Sequence, residues 1–206
     1  MRKMLALLSG ALVALACAGS ARAHHSYLMY DPTMPLWIKG TVVRFDNVEP
    51  HSLTRLEERT ADGQIRRWIV EGPARSGRIR SDPALHIPQV GEVLEFCAFP
   101  YKSAEELAKV GAQFATRRSP PDAEQVWGHV MVTPNAEKWA WNPHGVIFEC
   151  IRSSDDPRES WAAFLNANAQ SRAAFCKQGL SADVQSNASL KELVEEVDRA
   201  LDGPCD

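Results

Sequence analysis

The sequence predicts a mainly β protein: a small five-stranded, OB-like Greek-key barrel followed by a C-terminal pair of α-helices. Two observations carry this. Five short runs rich in β-branched and aromatic residues, separated by turn signals, lie between residues 36 and 132. After residue 152 the apolar spacing changes to that of amphipathic helices. Five strands with a kinked first one fit a partly open barrel of the oligonucleotide/oligosaccharide-binding type. A β-sandwich is the alternative, but it normally uses more strands.

The first strand is Leu36 to Phe45, in which Gly40 predicts a bulge or bend. A second follows near His51 to Glu58, and Asp62-Gly63 turns the chain into a third, Ile65 to Val70. Gly72-Pro73 ends this meander, and Ala74 to Ser81 reads as a short helix. Glu92 to Phe99 is the fourth strand, closed by Pro100. Ser103 and Glu106 form a capping box for a helix over Ala104 to Val110, and Val126 to Val132 is the fifth strand.

In the tail, Asp156-Pro157-Arg158-Glu159 predicts an N-cap, a first-turn proline and a helix with Trp161, Phe164 and Leu165 on one face. Ser189 with Glu192 predicts a second helix striped with Leu190, Leu193, Val194, Val197 and Leu201, stopped by Gly203-Pro204. Each has one apolar face and must dock on the barrel, on its neighbour or on a partner.

Residues 1–23 have the pattern of a signal peptide. Arg2 and Lys3 precede an apolar run from Met4 to Ala18, and Ala21-Arg22-Ala23 is a small-residue cleavage pattern. Cys17 offers a rival lipidation site, but Ala14 stands where a large aliphatic residue is usual. The domains expected are therefore a leader at 1–23, an OB-like β domain at 24–152 and a helical extension at 153–206. Export to the periplasm or beyond follows. No later stretch approaches the ~20 apolar residues of a spanning helix.

Three of the 23 basic residues lie in the leader, leaving 20 against 26 acidic ones. That balance argues against nucleic acid as a partner, because phosphate binding needs concentrated positive charge. The partner expected is instead a small ligand or a periplasmic protein, the latter reached through the C-terminal helices. Without Cys17, four cysteines remain, and an oxidising compartment would pair them in one of three ways. Cys97–Cys150, joining two strand-like segments, and Cys176–Cys205, tying the chain end to a helix, are favoured.

Several short motifs recur in order: His24-His25-Ser26-Tyr27, Tyr30-Asp31-Pro32, Lys39-Gly40-Thr41-Val42, Pro50-His51-Ser52, Trp68 with Glu71-Gly72, and Val90-Gly91-Glu92. Together they resemble a bacterial exported domain family of unknown function with a His-His-Ser-aromatic start, a Lys-Gly-Thr-Val strand and an Asn-Pro-His-Ser turn. The likeness spans about residues 24–135. Glu49 replaces the family's asparagine, and residues 144–206 have no counterpart in its short members. The resemblance implies compartment and domain, not an activity.

Candidate metal ligands are His24, His25, His51 and His144. Cleavage after Ala23 would give His24 a free amine, whose pKa near ~8 lets a metal displace its proton. Amine and Nδ1 then chelate one ion, and His51 or His144 completes a T-shaped nitrogen set that suits Cu(II), with Zn(II) less demanding. Trp139 and Trp141 could wall the His144 turn or simply pack. His86 and His129 read as structural. A cut after Ala21 would instead place histidine third, a motif that binds Cu(II) without any fold.

No Gly-x-Ser-x-Gly, His-Glu-x-x-His or glycine-rich phosphate loop is present. Three functions are consistent with this sequence. They are a non-catalytic exported binding module, a copper- or zinc-binding protein centred on His24, and a histidine-brace copper oxidoreductase.

Overall fold

The computed structural model describes residues 27–76, 85–110, 122–141 and 147–205. Its strands are β1 (Leu36–Asp46), β2 (Leu53–Arg59), β3 (Ile65–Glu71), β4 (Val93–Pro100), β5 (Glu124–Val132) and β6 (Lys138–Ala140). Strand β1 is long enough to serve two neighbours. Leu36–Thr41 pairs antiparallel with β4, and Thr41–Asp46 pairs antiparallel with β2. Strands β2 and β3 form the expected hairpin, and β4 pairs antiparallel with β5. A parallel pairing of β3 with β5 closes the barrel. Five strands thus close on themselves as a barrel rather than a sandwich, and β6 is an added sixth on β5.

Gly40 does not mark the bulge. The register of β1 shifts between Val42 and Arg44. Gly40 instead lies where β2 crosses, and an added Cβ would come within 2.9 Å of the Glu57 carbonyl oxygen. Close approach, not bending, requires glycine there.

Alternate residues of the strands fill two cores. Ile38, Val42, Leu56, Trp68, Val70, Leu94, Phe96, Met131 and Trp141 fill the barrel. Facing outward from the same strands, Cys97, Phe99 and Val130 join a second cluster made by the helices. The helices are α1 (Ala104–Val110), α2 (Ile147–Arg152), α3 (Arg158–Ala167), α4 (Ala169–Gly179), α5 (Ala182–Ser186) and α6 (Ala188–Asp198). Phe148, Trp161, Leu165, Phe175 and Val197 are fully buried in that cluster. A side chain such as Leu165 or Phe175 gains about 1.5–3 kcal/mol by this burial. The helical tail is therefore a packed layer against β4 and β5.

Several expectations need correcting. Five helices, not two, follow β6 among the described residues, and helix is already present at Ile147. Cys150 accordingly sits in α2, so Cys97–Cys150 joins a strand to a helix. Cys176–Cys205 ties the chain end to α4 as expected. Asp156 does not cap α3; its Oδ2 lies 2.8 Å from Lys138 Nζ, and Pro157 holds the N-cap position without a side-chain bond. Asn187, not Ser189, caps α6, its side chain accepting from the Leu190 N–H. The Ser103–Glu106 capping box of α1 is present, with both reciprocal bonds formed. The predicted helix at 74–81 falls largely outside the described residues.

Two stability predictions follow from this packing. The Cys97–Cys150 link closes a loop of 53 residues, for which chain entropy gives about 4 kcal/mol. C97A/C150A should lose stability of that order in urea unfolding, with β-rich circular dichroism retained. At Gly128, an added Cβ would stand 2.5 Å from Val70 Cγ1 and 2.9 Å from Trp141 Cδ1. Gly128→Ala should cost about 1–3 kcal/mol in the same assay.

Candidate functional site

The β1–β2 loop and the β4–β5 connection meet at one end of the barrel, where β3 ends and β5 begins. Beyond the last β2–β3 pair, Leu53 with Glu71, the hairpin continues through Gly72 N–H donating to Ser52 O at 2.8 Å. Ser52 N–H donates to Pro73 O at 3.2 Å. These bonds hold His51, which follows the cis Glu49–Pro50 peptide, beside Glu71. The segment before β1 is pinned to the end of β4 by Asp31 N–H to Pro100 O and Lys102 N–H to Met29 O, both 2.9 Å. That pinning places Tyr30 opposite Tyr101, with which its ring stacks at 4.5 Å. Parallel pairing of β3 with β5 sets Gln125 across from Ile69 and delivers the fourth side chain.

Glu71 is at the centre. It is only 5% exposed, and a buried carboxylate must be compensated by donors. Tyr30 donates its hydroxyl to Glu71 Oε2 at 2.6 Å, and Gln125 Nε2 donates to the same oxygen at 2.7 Å. Glu71 Oε1 lies 3.4 Å from His51 Nδ1. Burial first, then the Glu71 carboxylate and the Tyr101 hydroxyl, hold the Tyr30 phenol far above its ordinary value. Tyr30 is thus a fixed donor. His51 turns its Nδ1 toward Glu71, which leaves Nε2 on the far side of the ring. The His51 side chain is 29% exposed, so this imidazole reaches the surface while its carboxylate partner stays inside.

Of the four predicted ligands, His51 alone is among the described residues; His24, His25 and His144 lie outside them. Among the described residues no group of three or more histidines, cysteines or carboxylates is arranged to hold a metal. His86 pairs with Glu92 at 2.8 Å in its loop. His129 is fully buried, its ring 4.9 Å from Trp127 and 5.1 Å from Phe99. Of the two readings for Trp141, packing is observed: it is buried in the barrel against Phe96 and Phe45. Sequence reasoning missed Gln125 and took Tyr30 and Glu71 only as parts of motifs. One signal was available, a carboxylate ending the apolar run Trp68-Ile69-Val70 directly before Gly72-Pro73.

A model described as a family of unknown function (DUF6152) matches residues 11–106. The matched stretch carries Tyr30, His51, Glu71 and Tyr101 but ends within α1, before Gln125 and the helical layer. Comparison with curated proteins and with solved structures returns no match.

The network makes a prediction with a defined sign. A phenol raised in the fold above its unfolded value of 10.0 adds stability that is complete below that pH and is lost as pH rises beyond it. Tyr30→Phe should cost about 1.5–3 kcal/mol at pH 7 by removing a bond to a charged acceptor. The variant should also lose less stability than wild type between pH 9 and 11, measured by urea unfolding.

Proposed function

We propose that this chain is an exported, non-catalytic binding module whose ligand, a transition metal, is taken at the barrel end where His51 emerges. The observation that carries this reading is the His51 Nδ1 contact with buried Glu71 at 3.4 Å. Metal-binding histidines characteristically turn their second nitrogen to a carboxylate, which fixes the tautomer and raises the basicity of the other nitrogen. The position agrees with the fold, since barrels of this type bind through the β1–β2 and β4–β5 loops. Those loops contribute His51 and Tyr101 here.

His24 is the further ligand in this reading. It lies six residues before Tyr30, a span of at most about 20 Å, and Tyr30 is anchored on Glu71. Cleavage after Ala23 gives it an amine and an imidazole, and His51 adds the third nitrogen. His25 and His144 are the alternative donors. Three nitrogens of this kind favour Cu(II), with Zn(II) as the less selective occupant. The paired disulfides Cys97–Cys150 and Cys176–Cys205 agree with an oxidising compartment. Among the described residues no helix is long and apolar enough to cross a membrane.

Intact mass of the exported protein should show His24 as its first residue; any other start removes the amine and with it this ligand set. Calorimetric Cu(II) titration should then show His51→Ala weakening affinity at least 100-fold and Glu71→Gln weakening it about 10–100-fold. Equal, micromolar-or-weaker binding by wild type and both variants would sink the proposal.

A further inference from the structure

A concavity lies at the end of β5 away from the His51 site. Residues 125 and 132 are about 23 Å apart at the rise of an extended strand, so it is separate from the His51 site. It is a groove of about 640 Å³ between the starts of β1 and β4, the β5–β6 turn and the loop leading into α3. That volume is in the range of small-molecule sites. Trp37 forms part of its wall, with the indole N–H given to Ser153 Oγ at 3.0 Å. The β5–β6 turn holds Ala136 in the left-handed region at φ 63°, a conformation that disfavours residues with a Cβ.

Two nearly buried polar groups line this groove with hydrogen-bonding capacity in reserve. The Lys138 side chain is 7% exposed; its ammonium lies 2.8 Å from Asp156 Oδ2 and donates to Ser160 Oγ at 3.1 Å. An ammonium has three donors, so one hydrogen bond remains beyond these two, although the charge also stands 5.1 Å from the Trp161 ring. Thr133 is equally buried, and its Oγ1 has no partner among the described residues. Leaving a buried hydroxyl unpaired is unfavourable, and this one belongs to a residue that lines the groove.

The charge of the lining decides the ligand class. Lys39 and Lys138 face Glu95, Asp155 and Asp156, so the groove is slightly acidic and does not favour an anion. Glu95 and Asp156 are already paired with Lys39 and Lys138, which argues against a bare cation. What fits is a neutral molecule with an apolar face for Trp37 and several hydroxyls for Lys138, Thr133, Asp155 and Ser154. We propose that this groove binds a neutral saccharide.

The test uses the full exported chain with three probes, maltotetraose, cellotetraose and the tetramer of N-acetylglucosamine, and with tetraalanine as a non-sugar control. Isothermal titration should show at least one tetrasaccharide binding with a Kd below about 1 mM. Thr133→Val and Lys138→Met should each weaken it about tenfold, while His51→Ala leaves it unchanged. Thr133→Val removes only an unpaired hydroxyl, so its fold should survive, and a thermal melt checks this. No binding by all three sugars overturns the proposal. So does binding that persists in both groove variants, binding lost in His51→Ala alone, or binding of tetraalanine without any sugar.

Discussion

Strand β5 must satisfy two partners of opposite direction. It runs antiparallel to β4 along most of its length, and its first residues, Glu124–Trp127, run parallel to β3. Without that short parallel ladder the five strands would form an open sheet with exposed edges at β3 and β5, each a row of unmet backbone donors and acceptors. Closing it forces the chain into close quarters. Gly72 and Gly128 both face the Trp141 indole, because no side chain fits where the two strands converge on it. Past Trp127 the same edge of β5 is taken over by β6, so closure and extension share one strand.

The polar cluster is a consequence of the same closure. Parallel register sets Glu71 opposite Trp127 and Ile69 opposite Gln125, so the last residue of β3 meets the first turn of the barrel wall. An apolar residue at position 71 would be the cheaper occupant of a site only 5% exposed, since a carboxylate there loses its hydration. The fold offsets this with a phenol and an amide on one oxygen and an imidazole near the other. Such an arrangement is costly to break and confers orientation more than stability. His51 is one of its partly exposed members, and orientation of an imidazole is useful chiefly if something binds it.

The barrel was legible because its information is local. The β-branched and aromatic run at Trp68–Val70, the Asp62-Gly63 turn and the capping box at Ser103 each need only a few neighbouring residues, and the observed strands begin and end close to the predicted ones. The helical layer was less so. Helix α4 carries apolar residues too sparsely to mark a face, yet Phe175 is fully buried in the helical cluster beside Phe148 of α2. Asp156 looked like a cap from its sequence neighbours, but a nearly buried lysine on β6 claimed its charge. Pro50-His51-Ser52 stood out as a presented histidine, whereas Glu71 and Gln125 became part of a site only through a register between strands 54 residues apart. Long-range pairing of this kind leaves no periodic trace.

The C-terminal layer changes what the barrel can offer. Cys97, Phe99 and Val130 point away from the barrel interior and would be an exposed apolar stripe on β4 and β5 without α2, α3 and α4. Covering that stripe also builds the loop 153–157 against the β5–β6 turn, where Lys138 is trapped between Asp156, Ser160 and the Trp161 ring. The groove beside Trp37 is therefore made jointly by barrel and helices, while the His51 end uses barrel elements and the segment leading into β1. The family match stops at residue 106, ahead of β5, the β5–β6 turn and every helix that shapes the groove. The two ends of β5 thus differ in the part of the chain that builds them, and the chemistry of one does not require that of the other.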